Sequence, residues 1–293
     1  MCADLAIAQS TKAEDPYELI KRGEFKTAFP IFLELANNGD GAAQWVVGDM
    51  YETGRGVEAD LKKAITWYVK AADKGVVTAQ VSLGRLYQEG LGVQKSSSKA
   101  VYWYEKAANN GFSKAQYNLG NAYLYGRGKK KNAKQAAIWY ERAAEQGLAI
   151  AQSDLGALYA SGSGVPLDLK KALHWYIKSA EQGEPKSYFN LGALYFNGGN
   201  GIKQDHKLAL KWFKKAAQNN VEKAIDLLAI IVSQGSIIND EELAFGLLVI
   251  SAENGNKKSQ ELINRVAASQ QSSQWDSLVS NARQRALSFV NSD

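Results

Sequence analysis

The chain has 293 residues with 45% hydrophobic content, 10% aromatics and four prolines, enough to bury a core and poor in the composition of long disordered tracts. Its 35 basic and 30 acidic residues give a net charge of +5. The two signs are interleaved along the sequence and gather on no one expected face, which argues against nucleic acid as a partner. No run of about 18 apolar residues occurs, so no integral membrane segment is expected.

Residues 1–14 show no helical pattern and are expected to form a flexible N-terminal segment. They contain Cys2, the single cysteine, so no disulfide can form within the chain. Ala6-Ile7-Ala8 has the small-x-small form of a cleavage site, and Cys2 would be a lipidation site behind an upstream leader, yet the apolar stretch that either needs is not in the sequence. The location is therefore read as periplasmic or secreted if a leader has been removed, and as cytoplasmic otherwise.

Residues 15–42 read as a shortened repeat, with Glu24-Phe25-Lys26-Thr27-Ala28 in the place where later repeats carry a helix cap and an alanine. Residues 43–223 then hold five full repeats. The string WYVKAADKG begins at Trp67 and returns in variant form at Trp103, Trp139, Trp175 and Trp212, at intervals of 36, 36, 36 and 37 residues. Gly48, Gly84, Gly120, Gly156 and Gly192 keep the same register, each followed three residues later by a tyrosine: Tyr51, Tyr87, Tyr123, Tyr159 and Tyr195.

Within each repeat, pairs such as Leu83 and Tyr87 lie four apart and share one face of a first helix. The glycine beside that leucine costs about 1 kcal/mol of helix propensity, which close approach of a partner helix offsets. The first helix stops at a Gly-x-Gly loop, as in Gly90-Leu91-Gly92, because glycine accepts the left-handed backbone of a helix end. A second helix restarts at Asp60, Ser96, Asn132, Asp168, Asp205 and Asp240, all favoured N-cap types placed four residues before a recurring alanine. It ends at Gly75, Gly111, Gly147 and Gly183. The tryptophans are expected to be core.

Residues 224–258 keep the apolar pattern of a sixth, degenerate repeat. Residues 259–293 are expected to form C-terminal capping helices, with Trp275, Leu278, Val279, Ala282, Ala286, Leu287 and Val290 on one side of the last. A helix pair of this size cannot bury both its faces, so pairs stack and share a continuous core. The fold expected is all-α: a right-handed α-α superhelical solenoid of about six stacked helix-turn-helix repeats, closed by a C-terminal capping helix.

An enzyme needs an acid, base, nucleophile or metal set. His174 and His206 sit at places that vary between repeats, and neither has a carboxylate or cysteine at ligand spacing. The Gly-x-Gly strings follow helices, lack a Gly-Lys-Ser/Thr ending and recur as punctuation, so they hold no phosphate. No catalytic residue, metal or cofactor is expected, although a hydrolase or small-molecule-binding solenoid is the competing class.

The strings Ala-x-x-x-Leu-Gly-x-x-Tyr-x-x-Gly-x-Gly and Lys-Ala-x-x-Trp-Tyr-x-Lys-Ala-Ala resemble the Sel-1-like repeat family, relatives of the tetratricopeptide repeat. The resemblance is close from Ala43 to about Asn220 and looser from Pro16 to Asn254. It implies an adaptor: bacterial members are associated with host interaction, envelope or polysaccharide assembly and immunity against secreted toxins. By the same likeness, three positions of the first helix would line a concave groove: two before the leucine, one after the glycine and four after it. They lie within about 60° of one another, away from the Leu/Tyr face.

This picks out Trp45, Asp49 and Glu52, then Arg85 and Gln88, then Tyr117, Asn121 and Leu124, and finally Phe189 and Phe196, with Ser153 among the small residues between. The expected function is a non-catalytic protein-protein interaction scaffold whose groove takes a protein or peptide partner, in a bacterial envelope- or secretion-related setting. An immunity protein that occludes a toxin effector is the sharper alternative. Nothing in the sequence requires more than a monomer.

Overall fold

The computed structural model describes residues 14–233, 238, 240–268 and 272–292. Cys2 and residues 1–13 of the expected flexible segment lie outside them. Among the described residues there are sixteen α-helices and no β-strand, with one isolated bridge between Gly199 and Ile202. The architecture is the all-α repeat fold that the sequence pattern points to.

The chain forms two compact units, Met1–Asn132 and Ala133–Asp293. The first holds α1 (Pro16–Lys21), α2 (Phe25–Asn37), α3 (Gly41–Thr53), α4 (Leu61–Asp73), α5 (Val77–Glu89), α6 (Ser97–Asn109) and α7 (Ser113–Tyr125), each packed on the next. The second holds α8 (Ala133–Glu145), α9 (Ala149–Ser161), α10 (Leu169–Glu181), α11 (Pro185–Asn197), α12 (His206–Gln218), α13 (Glu222–Ser233), α14 (Glu241–Glu253), α15 (Lys257–Ala268) and α16 (Ser272–Asn291). There too successive helices pack in order as far as α15, whereas α16 folds back on α14 and α12.

Local chemistry sets the helix ends. The side chains of Asp60, Ser96, Asp168, Asp205 and Asp240 accept backbone N–H groups in the first turn of α4, α6, α10, α12 and α14. At the other end, α3 and α5 stop where Gly54 and Gly90 turn left-handed, with φ of 72° and 80°.

The starts of α3, α5, α7 and α9 share a device that the sequence reading passed over. Gln44, Gln80, Gln116 and Gln152 are buried, and each Nε2 donates to a carbonyl in the last turn of the preceding helix, those of Ala36, Ala72, Ala108 and Ala144, at 3.1, 3.2, 3.3 and 3.0 Å. The amide satisfies a carbonyl that the helix end leaves orphaned and ties one repeat to the next.

The aromatic pair divides its labour. The second ring is the fully buried one: Tyr68, Tyr104, Tyr176 and Phe213 are 1%, 3%, 4% and 0% exposed. Each lies on a first-helix glycine, and a Cβ added at Gly48, Gly84, Gly156 or Gly192 would meet that ring at 2.7, 2.4, 2.7 or 2.6 Å. This is the close approach that offsets glycine's poor helix propensity. The tryptophans divide: Trp103 and Trp139 are buried, as expected, and the other three pack at the margin. Trp67, Trp175 and Trp212 are half-buried, and a cation lies over each ring: Lys70, Lys178 and Lys215 at 4.0, 5.0 and 5.5 Å.

The C-terminal helix buries Ala282, Ala286 and Val290 but leaves Leu278 exposed. It lies so close to α14 that a Cβ at Gly246 would stand 1.9 Å from the Ala282 carbonyl oxygen. Gln218 Nε2 on α12 donates to the Val290 carbonyl at 2.8 Å.

Candidate functional site

The first-helix positions selected from the sequence meet different fates in the two units. In the N-terminal unit they form a polar chain. The Tyr68 hydroxyl on α4 donates to Glu52 Oε2 on α3 at 2.8 Å. Glu52 Oε1 also accepts from Arg85 Nη2 on α5, and Arg85 Nη1 reaches Glu89 Oε2 at 3.2 Å.

The Glu52 side chain is 18% exposed, so the pair with Arg85 is shielded more than an ordinary surface ion pair. Burial, reinforced by the bond to Glu52, pushes the Tyr68 phenol well above its usual range, and the hydroxyl stays a donor. Asp49, half-buried one turn before Glu52, has its carboxyl raised by desolvation first and by Glu52 next, against the opposing pull of Arg55 and Arg85.

Beyond this chain, α5, α6 and α7 enclose a cavity of about 160 Å³. Gln88, Ser97, Tyr104, Asn118, Asn121 and Arg127 supply its polar lining. Arg127 is placed by the Gly126-Arg127-Gly128 loop, which rests on the start of α6; a Cβ at Gly128 would lie 2.4 Å from the Ser97 carbonyl oxygen. The structure thus brings together Glu52 with Arg85, and Gln88 with Asn121. Sequence reasoning missed Tyr68, Glu89, Tyr104 and Arg127, although the recurring tyrosine of the aromatic pair was in plain sight.

Other selected residues are taken up in packing. Trp45 is half-buried against the apolar clusters of the first repeats, and its indole N–H has no hydrogen-bond partner. Tyr117 and Leu124 are half-buried on α7.

In the C-terminal unit Phe189 tilts against Phe213 with centroids 5.6 Å apart. Phe196 stacks on His206 at 5.2 Å, and both phenylalanines pack against the core cluster built on α12–α14. Ser153 is 1% exposed and faces no groove. His174 lies edge-on to Trp175 at 5.2 Å. Among the described residues no three His, Cys, Asp or Glu side chains gather as a metal site would require, and no helix is long and apolar enough to cross a membrane.

A family model of the Sel1 repeat matches residues 41–76, 77–112, 113–148, 149–184, 185–221 and 223–256. The chain belongs to the Sel1 repeat family. The first five matched Sel1 repeats carry the selected positions on their first helices, and Gly48, Gly84, Gly156 and Gly192 are the glycines on which a second helix lays its ring.

Among solved structures, a protective antigen present in uropathogenic Escherichia coli strains, itself of this repeat fold, is similar with a TM-score of 0.81 and 28% identity over 94% of this chain. The match spans 62% of that antigen's length. A Sel1 repeat protein from Oxalobacter formigenes is 35% identical with a TM-score of 0.71, over 80% of this chain and 94% of its own. An immunity protein from Pseudomonas aeruginosa reaches a TM-score of 0.42 at 23% identity over 69% of this chain and 81% of its own, too weak a likeness to bear on function. No curated protein matches the sequence.

Proposed function

We propose that this Sel1 repeat chain is a non-catalytic scaffold that binds a protein or peptide partner through its first helices, α3, α5 and α7 foremost. One observation carries the reading: these helices hold a carboxylate–guanidinium chain, Glu52–Arg85–Glu89, shielded at its Glu52 end, beside a polar-lined cavity at Gln88 and Asn121. Partly desolvated polar groups fixed on rigid helices, with room for an inserted side chain, are what specific recognition of a peptide uses. Phe189 and Phe196 belong more to the core of the C-terminal unit than to this face. The concave side of the repeat is the surface we assign to the partner. The likeness to a protective antigen of uropathogenic Escherichia coli supports a bacterial envelope- or secretion-related setting.

The test is affinity capture with the full chain beside a variant in which Gln88, Asn121 and Leu124 are all replaced by alanine, its fold verified by circular dichroism. A stoichiometric partner held by the first and lost from the second supports the reading. Equal capture by both removes the first-helix face from consideration.

A further inference from the structure

We infer that the cavity between α5, α6 and α7 binds a carboxylate carried by the partner, with the Tyr104 hydroxyl and the Arg127 guanidinium as its donors. The inference rests on the peptide-binding reading above and names the chemistry that reading would use.

The protein contains its own template for this site. One repeat earlier, the Tyr68 hydroxyl donates to the Glu52 carboxylate, 16 residues before it in the chain. Tyr104 occupies the equivalent place, over Gly84 as Tyr68 is over Gly48. The residue 16 before Tyr104 is Gln88, an exposed neutral amide at the edge of the same cavity. So the internal carboxylate is missing where the internal phenol is retained. Tyr104 is 3% exposed, and its hydroxyl, lining the cavity, forms no hydrogen bond with a described residue. The hydroxyl opens on the cavity at the end of a buried ring, so an acceptor that enters there gains a hydrogen bond that the chain itself does not supply.

The surroundings favour an anionic acceptor. Burial pushes the Tyr104 phenol up to about 12, with Glu89 adding and Arg85 opposing, so it remains a proton donor throughout the neutral range. Arg127 lines the same cavity and is exposed, its guanidinium 5.1 Å from the centre of the Tyr125 ring. Ser97, the first residue of α6, places the positive end of a 13-residue helix at the wall. The acid facing the site, Glu89, is held by Arg85 at 3.2 Å. Asn118 and Asn121 add polar side chains to the wall.

A carboxylate can come from an acidic side chain or from a chain terminus. Three immobilised pools of short random peptides separate the two: one free of Asp and Glu and C-terminally amidated, one equally acid-free with a free C-terminal carboxylate, and one amidated with a single central Glu. The full chain is expected to retain one of the carboxylate-bearing pools about ten-fold better than the acid-free amidated pool. A preference for the second pool identifies a terminal carboxylate, and for the third an acidic side chain.

Tyr104→Phe keeps the ring on Gly84 and removes the donor. Gln88→Glu supplies the missing carboxylate from the chain itself. Each is expected to abolish the preference. Equal retention of all three pools, or a preference that survives both substitutions, overturns the inference and leaves peptide binding standing. Retention of no pool overturns both.

Discussion

One structural slot is filled in opposite ways in the two units. In the N-terminal unit the residue four after the glycine is Glu52, and the ring on that glycine is Tyr68, joined to it at 2.8 Å. In the C-terminal unit the matching residues are Phe196, stacked on His206, and Phe213, fully buried on Gly192. The glycine–ring contact is common to both, at 2.7 and 2.6 Å. The repeat therefore needs the ring and the glycine for packing, while the hydroxyl and its acceptor are additions that turn the slot polar. Where they are present the face can select a partner by hydrogen bonds. Where phenyl groups replace them, the slot closes into core.

The common part should break most severely. Phe213→Ala removes a wholly buried ring that lies against Phe189, and a loss of about 3 to 5 kcal/mol is expected. Phe196→Ala, at a half-buried site, should cost less. Urea denaturation followed by tryptophan fluorescence measures both, and equal midpoints for the two variants would mean that the glycine–ring contact is not the anchor of the repeat.

Approaching the same contact from the glycine side, Gly84→Ala puts a methyl 2.4 Å from Tyr104 Cε1. The overpacking of roughly 1 to 3 kcal/mol exceeds the gain of up to about 1 kcal/mol in helix propensity. The net effect expected in the same denaturation experiment is a loss of about 1 kcal/mol. A stabilised variant would show that the neighbouring helix can move away freely.

The polar addition should matter less. Tyr68→Phe keeps the packing and removes a single hydrogen bond to Glu52, which Arg85 still holds. A loss of about 1 kcal/mol is expected. If the midpoint does not move, the hydroxyl serves only the polar character of the face.

The frame was legible in the sequence because the second helices start at capping side chains and the first helices stop at left-handed glycines. Asp60, Ser96, Asp168, Asp205 and Asp240 cap where their residue types said they would. Which member of the aromatic pair lies on the glycine was not legible. Adjacent helical residues point about 100° apart, so both rings flank the core side, and in the pairs Trp103-Tyr104 and Trp139-Tyr140 both are buried.

The Gln44, Gln80, Gln116 and Gln152 ties were visible as a recurring Ala-Gln string, but their partners are backbone carbonyls, which leave no trace in composition. Choosing Glu52 and Arg85 separately was within reach of the pattern. Their pairing across 33 residues depends on the offset between repeats, which only the stacked helices supply. Phe189 and Phe196 were selected by the same rule and ended in packing, since position on a helix says which way a ring points and not what covers it.

The smallest effect concerns Asp49, whose counterpart in the C-terminal unit is Ala193. Desolvation raises the Asp49 carboxyl above its ordinary value of 3.8. A carboxyl raised on folding favours the folded state while protonated, and that stability is lost as pH rises through the folded value. At neutral pH the ionised Asp49 is therefore a liability that the neutral slot at Ala193 avoids. Asp49→Asn is expected to stabilise the chain at neutral pH by a few tenths of a kcal/mol, modest because the group is only half-buried and two arginines offset part of the penalty. Denaturation midpoints compared across pH should show this gain shrinking as pH falls and vanishing below 3.8, where the carboxyl is protonated in both states. A gain that stays constant over that range would trace the benefit to packing or helix propensity instead, and the polar face would then carry Asp49 without electrostatic cost.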